Sequence, residues 1–164
     1  MTEQVPPQTR GAALSALSLD VFRLNSRLLI AGDRLVAGLG LTSARWQILG
    51  AIAEADRPQP VAWLARDIGG ARQNVQRIVN DLSRDGLVAF APNPHHRRAQ
   101  LVVLTAQGRT AYEAALGLWA PMAEGLAAGL SLAEIEAARR VLLAVWQNLA
   151  ATDGEAGDAA PPPE

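Results

Sequence analysis

The first strong periodicity along the chain starts at Gly11. Leu14, Leu17, Val21, Leu24, Leu28, Ala31 and Leu35 recur at alternating three- and four-residue steps, the spacing of a heptad seam. Phe22, Leu29 and Val36 form a second stripe beside it, so the predicted helix is apolar on more than one side. A helix this long and this apolar leaves too much surface for its own body to cover, which points to packing against a second chain. Gly38 and Gly40 end it, and Thr42 or Ser43 caps the next helix, whose buried stripe reads Trp46, Leu49 and Ile52 with Ala53.

Asp56-Arg57-Pro58-Gln59-Pro60 is kept out of helix by its two prolines. A short helix from Val61 to Asp67 then buries Val61, Leu64 and Ala65, and Ile68-Gly69-Gly70 makes a turn. From about Ala71 to Asp85 the pattern is again helical, with Val75, Ile78, Val79 and Leu82 on one face and Gly86 at the left-handed position that closes it. Helix, glycine turn, helix is the order of a helix-turn-helix. Leu87–Phe90 and Gln100–Leu104 read as two strands around the turn Asn93–Arg98, so a hairpin, or wing, follows directly.

Thr105 caps a further helix with Tyr112, Leu116, Trp119, Met122 and Leu126 on its apolar side, and Pro121 is expected to kink or divide it. After Gly129-Leu130, Ser131 and Glu134 form a capping box for a last helix expected to bury Leu132, Ile135, Leu142, Val145, Trp146 and Leu149. The predicted fold is mainly α with a small β-wing, a winged helix-turn-helix lobe between long N- and C-terminal dimerisation helices. Its expected divisions are a disordered lead over 1–10, an N-terminal dimerisation helix over 11–40, the lobe over 41–105, C-terminal dimerisation helices over 106–151 and a disordered acidic tail over 152–164.

Composition sharpens the picture in one respect. The net charge of the 164 residues is −1, but it is unevenly spread: Val61–Arg109 holds seven arginines against three aspartates, whereas the tail after Ala150 holds four acids and no cation. That asymmetry suits a polyanionic partner. With no cysteine there is no disulfide, thiolate nucleophile or thiol switch. No secretory leader and no apolar run of spanning length is seen, so the chain is expected to be cytoplasmic, with no membrane partner.

The chemistry concentrates on the second helix of the helix-turn-helix. Opposite its apolar stripe stand Arg72, Gln73, Gln76, Arg77 and Asn80, with no carboxylate before Asp81. Arg, Gln and Asn are the side chains that pair bidentately with base edges or hold phosphates. Arg72, Gln73, Asn74 and Gln76 lie where a recognition helix meets bases, and Arg77 is better placed for phosphate. A plain solvated helix face is the competing reading, against which the run of such residues without an acid weighs. Arg84 is equally a phosphate contact or a surface residue. On the wing, Arg97 is suited to a narrow minor groove, Arg98 to a phosphate or to bracing the wing, and His96 to the DNA backbone. His95 and His96 are adjacent and have no third ligand nearby, so no metal or other cofactor is expected.

Leu41-Thr42-Ser43-Ala44-Arg45-Trp46, Arg72-Gln73-Asn74-Val75-Gln76-Arg77 and Asn93-Pro94-His95-His96-Arg97-Arg98-Ala99 running to Leu104-Thr105 closely resemble, in order and spacing, the MarR family of bacterial transcriptional regulators. The resemblance spans about residues 12 to 150. It implies a homodimer whose terminal helices interlock, two recognition helices in successive major grooves of a palindromic operator, and a wing arginine in the minor groove. It further implies release from DNA by small aromatic or phenolic ligands held between the dimer helices and the DNA lobe. Asn93 and His96 stand where family members commonly carry acids, so a wing brace made by those acids is expected to differ here, with Arg97 keeping its position.

For such a ligand cleft the candidates are Asn25, Asp33, Arg45, Trp46 and Trp119. Core packing is the stronger reading for the two tryptophans, while Asn25 and Asp33 interrupt an apolar helix and need partners or solvent. The expected partners are thus double-stranded DNA, a second copy of the chain and a small-molecule effector. The expected function is a sequence-specific transcriptional regulator acting as a repressor. The alternative is a winged-helix module for protein–protein contact without DNA binding, and the acid-poor recognition face argues against it. An enzyme is not expected, because no nucleophile–base set, phosphate-binding glycine loop or metal set is seen.

Overall fold

The computed structural model describes residues 9–94, 96 and 98–157, the last five by their backbone alone. The expected lead over 1–10 falls mostly outside these residues. Contacts divide the chain at Ala120–Pro121 into two units.

In the first unit α1 (Arg10–Val36) begins one residue before the sequence pattern, because the Thr9 hydroxyl accepts from the Ala12 N–H at 3.1 Å and caps it. A 3₁₀ turn (Ala37–Leu39) and Gly40 end it. The second helix, α2 (Ser43–Glu54), starts from Thr42, whose hydroxyl accepts from Arg45 N–H at 3.3 Å. A second cap comes from α1: the Asp33 carboxylate accepts from the Ser43 N–H at 2.6 Å. An anion at a helix N-terminus is favoured by the exposed N–H groups there, so this contact fixes the α1–α2 corner. The most buried residues of α2 are Ile48 and Leu49, while Trp46, Ile52 and Ala53 lie half-buried against the same core. The sequence pattern had picked out Leu49 but not Ile48.

Gln59–Pro60 forms a two-residue strand, β1, which the sequence did not suggest. Proline is tolerated there because β1 is an edge strand. It leads directly into α3 (Val61–Asp67), which buries Val61, Leu64 and Ala65. Then α4 (Arg72–Arg84) buries Val75, Ile78, Val79 and Leu82, the expected stripe. Gly86, with φ 75°, closes the helix in the left-handed region that glycine adopts without a Cβ clash. The wing is β2 (Val88–Ala91) and β3 (Leu101–Leu104), paired antiparallel from Val88↔Leu104 to Ala91↔Leu101. β1 joins the far side of β3, giving the sheet order β1-β3-β2.

Thr105 links this lobe to α5 (Ala106–Leu126). Its hydroxyl donates to the Gly86 carbonyl at 2.7 Å and accepts from the Gly108 N–H at 2.9 Å. Gly108 lies against the Leu87 carbonyl so closely that a Cβ would strike it. Pro121 does not divide α5, which continues to Leu126.

The second unit contains the end of α5 and α6 (Leu132–Gly157). The capping box forms as expected: the Glu134 carboxylate accepts from the Ser131 N–H at 2.8 Å, and the Ser131 hydroxyl accepts from the Glu134 N–H at 3.3 Å. Two expectations fail here. The helix runs to Gly157, past the expected end at 151, since Thr152 to Gly157 contains no proline to stop it. Moreover Leu132, Ile135, Leu142, Trp146 and Leu149 are exposed and Val145 only half-buried. On α1, Leu14, Leu17, Val21, Phe22, Leu24 and Leu28 are exposed as well. Among the described residues no single helix is long and apolar enough to cross a membrane.

Candidate nucleic-acid interface

The polar face of α4 projects from the lobe because the opposite stripe is anchored so firmly: Val79 and Leu82 have no exposed surface. Arg72, Gln73, Asn74, Arg77 and Asn80 are exposed and Gln76 is half-buried. Ala71 supplies no side-chain cap, so the first N–H groups of α4 face outward beside Arg72. Such an N-terminus attracts phosphate by its aligned N–H groups and helix dipole.

The face is partly pre-ordered. Gln76 Nε2 donates to Asn80 Oδ1 at 3.0 Å, and Arg77 Nη2 donates to Asn74 Oδ1 at 2.9 Å. Asp81 pairs with Arg77 at 3.5 Å and with Arg84 at 3.0 Å. Arg84, undecided from the sequence, is therefore turned toward the acid beside it, an exposed pair worth little by itself.

A groove of about 240 Å³ runs beside this helix, and it brings the two halves of the expected interface together. Arg72, Gln76 and Asn80 line it from α4, Arg98 and Gln100 from the wing, with Val61 at the head of α3 between them. Asn80 and Gln100 were not among the expected site residues. Asn80 already stood on the polar face read from the sequence, four residues after Gln76, without a role assigned to it. Gln100 gave no such signal, because its position depends on the wing folding back.

The wing turn is held by Asn93. Its amide donates to the Ala99 carbonyl at 2.9 Å across the turn, while the Ala99 N–H donates to the His96 carbonyl at 3.0 Å. A carboxylate cannot donate in this way, so this brace depends on the amide of Asn93. His96 is exposed at the tip. Arg97 and His95 lie outside the described residues.

Four of the five residues considered for a ligand cleft have protein partners. Asp33 caps α2 as described. Arg45 pairs through Nη2 with Asp85 and donates through Nη1 to the Gly40 carbonyl at 3.4 Å, tying the start of α2 to the end of α4. Trp46 and Trp119 meet edge to face, 5.8 Å between centroids and 62° between planes, which joins α2 to α5. Asn25 is exposed on α1.

The MarR family model matches residues 39–99, from the 3₁₀ turn after α1 to the wing turn before β3. An uncharacterised Mycobacterium tuberculosis protein, Rv2011c, is 42% identical over 101 residues, covering 62% of this chain and 69% of that protein. The chain belongs to the MarR family. It is a transcription regulator with the family's winged-helix DNA-binding fold. Another relative, the transcriptional activatory protein BadR of Rhodopseudomonas palustris, is 37% identical over 84 residues, half of this chain and 48% of BadR. Among solved structures, the M. tuberculosis regulator MosR in complex with DNA superposes with a TM-score of 0.70 at 27% identity, over 82% of this chain and 96% of that one. BadR and MosR are transcription regulators by name.

Proposed function

We propose that the protein is a homodimeric repressor that binds a palindromic operator through α4 and the wing. The observation that carries this is the groove in which Arg72 and Gln76 of α4 share one wall-to-wall space with Arg98 of the wing. Arg72, Gln73, Asn74 and Gln76 are assigned to base edges and Arg77 to a phosphate. His96 and Arg98 are assigned to the DNA backbone, and Arg97 to the minor groove on the strength of its place in the wing sequence. The similarity to DNA-bound MosR supports the same docking.

The segments 11–40 and 106–151 are assigned to dimerisation, which would cover the exposed apolar residues of α1 and α6 and set the spacing of two α4 helices. A small aromatic effector is assigned to the region of Asn25, Asp33, Arg45, Trp46 and Trp119. There it would compete with the Asp33–Ser43 and Arg45–Asp85 contacts that join α1, α2 and α4.

Selection of bound genomic fragments, followed by titration of the recovered duplex at several salt concentrations, tests the reading. A palindromic consensus and a log–log salt slope of roughly −0.9 per neutralised phosphate are expected. No enrichment over random fragments at low salt would overturn it. Because BadR is an activatory protein by name, the sign of regulation is tested separately. A promoter–reporter fusion should rise in output when the gene is deleted.

A further inference from the structure

Gln76 and Asn80 stand one helical turn apart on α4, and both line the groove between that helix and the wing. Gln76 Nε2 donates to Asn80 Oδ1 at 3.0 Å. Gln76 is half-buried, with Val61 and Ala62 among the other walls of the groove, whereas Asn80 is exposed. On a solvated helix such a pair adds little to stability. Its consequence is chemical, because it decides which part of the Gln76 amide is left for a partner.

A primary amide carries two N–H donors and one carbonyl acceptor. With one N–H of Gln76 given to Asn80, the other N–H and Oε1 remain, a single donor next to a single acceptor. In the major groove adenine offers the matching pair, N7 as acceptor and its N6 amino group as donor. Guanine offers two acceptors, N7 and O6. Against guanine Oε1 would face a second lone pair, and the donor that could serve it is already committed to Asn80. A glutamine without such a bond is less selective, since both its N–H groups are free to serve acceptors. In the water-poor interface of a complex the Gln76–Asn80 bond also counts for more than on the free helix.

We propose that Gln76 reads an adenine in each operator half-site and that Asn80 is the positioning residue behind this choice, holding the amide without touching a base itself. This rests on the docking of α4 proposed above. It adds the identity of one base and gives a role to a side chain outside the set assigned to base edges.

Fluorescence anisotropy of the full chain with the selected operator, with duplexes in which single A·T pairs become G·C, and with a random duplex tests it. At one pair per half-site the exchange should weaken wild-type binding about tenfold. Gln76→Ala should abolish that preference, leaving less than about twofold. Asn80→Ala should cut it to about threefold and keep random-duplex affinity within about twofold, with the circular dichroism spectrum retained. The double variant should match Gln76→Ala alone at that pair. If Asn80→Ala weakens operator and random duplex alike, Asn80 is a phosphate contact. If its loss persists in the Gln76→Ala background, Asn80 reads a base in its own right. Either result overturns the proposal, as does an adenine preference that Asn80→Ala leaves whole. Binding of no duplex at all would instead remove the DNA docking of α4, and this assignment with it.

Discussion

The Tyr112 hydroxyl donates to the Glu54 carboxylate at 2.7 Å, fastening α5 to the last turn of α2 across 58 residues of sequence. Burial, then the Glu54 hydrogen bond and charge, push the phenol up from 10.0 to about 12. A folded-state pKa above the unfolded one means that the contact stabilises fully below pH 10 and loses its effect as pH rises through about 12. Tyr112→Phe should cost about 1 kcal/mol at neutral pH. The variant should also lose the part of the wild-type decline in melting temperature above pH 10 that comes from this group. Thermal denaturation at neutral and alkaline pH checks both.

Gly108→Ala should be costly, because its Cβ meets backbone rather than a movable side chain. A loss of about 3 kcal/mol is expected, with Gly117→Ala on the same helix as the control. Nothing lies within 4 Å of a Cβ at Gly117, so that substitution should stabilise by about 0.5 kcal/mol. Urea denaturation of the two variants gives the comparison.

Much of the lobe could be read from the chain, for identifiable reasons. Val75, Ile78, Val79 and Leu82 obey a helical period because one helix buries them against one core, and the Ser131–Glu134 box is a local device. What escaped the sequence depends on distant segments meeting. β1 exists only because Pro60 comes beside Leu101, and Ile48 is buried by neighbours that no window around it contains. Asp33 looked like a polar interruption in an apolar helix and is instead the cap of the next one. The exposed faces of α1 and α6 follow the apolar pattern faithfully.

For the interface, Gln73→Ala should cost about 1–3 kcal/mol of operator affinity and relax preference at one base position. A loss shared by all sequences would assign Gln73 to the phosphates. Arg97→Ala should weaken operator binding more than Arg84→Ala, whose guanidinium already pairs with Asp81 at 3.0 Å. Equal losses would remove the minor-groove assignment of Arg97. Fluorescence anisotropy with labelled operator measures all three.

Asn93→Ala should loosen the wing turn by removing the amide that reaches the Ala99 carbonyl. Operator affinity should fall about fivefold, equivalent to about 1 kcal/mol, while the melting temperature changes little because the turn lies at the edge of the lobe. A large fall in melting temperature with unchanged DNA affinity would show the brace to serve the lobe instead.

If the exposed faces meet in a dimer, Phe22→Glu combined with Trp146→Glu should yield monomers by sedimentation, with the lobe still folded. Phe22 leaves 69% and Trp146 47% of its surface uncovered in the single chain, so neither change disturbs the lobe's core.

The Thr105 hydroxyl touches the carbonyl that ends α4 and the N–H that begins α5, with Gly108 pressed on the backbone between them. One oxygen thus acts as a rivet through the last turn of the reading helix, the foot of the wing and the first turn of the long helix. A push along α5 therefore reaches the end of α4 and the foot of the wing through the same hydroxyl.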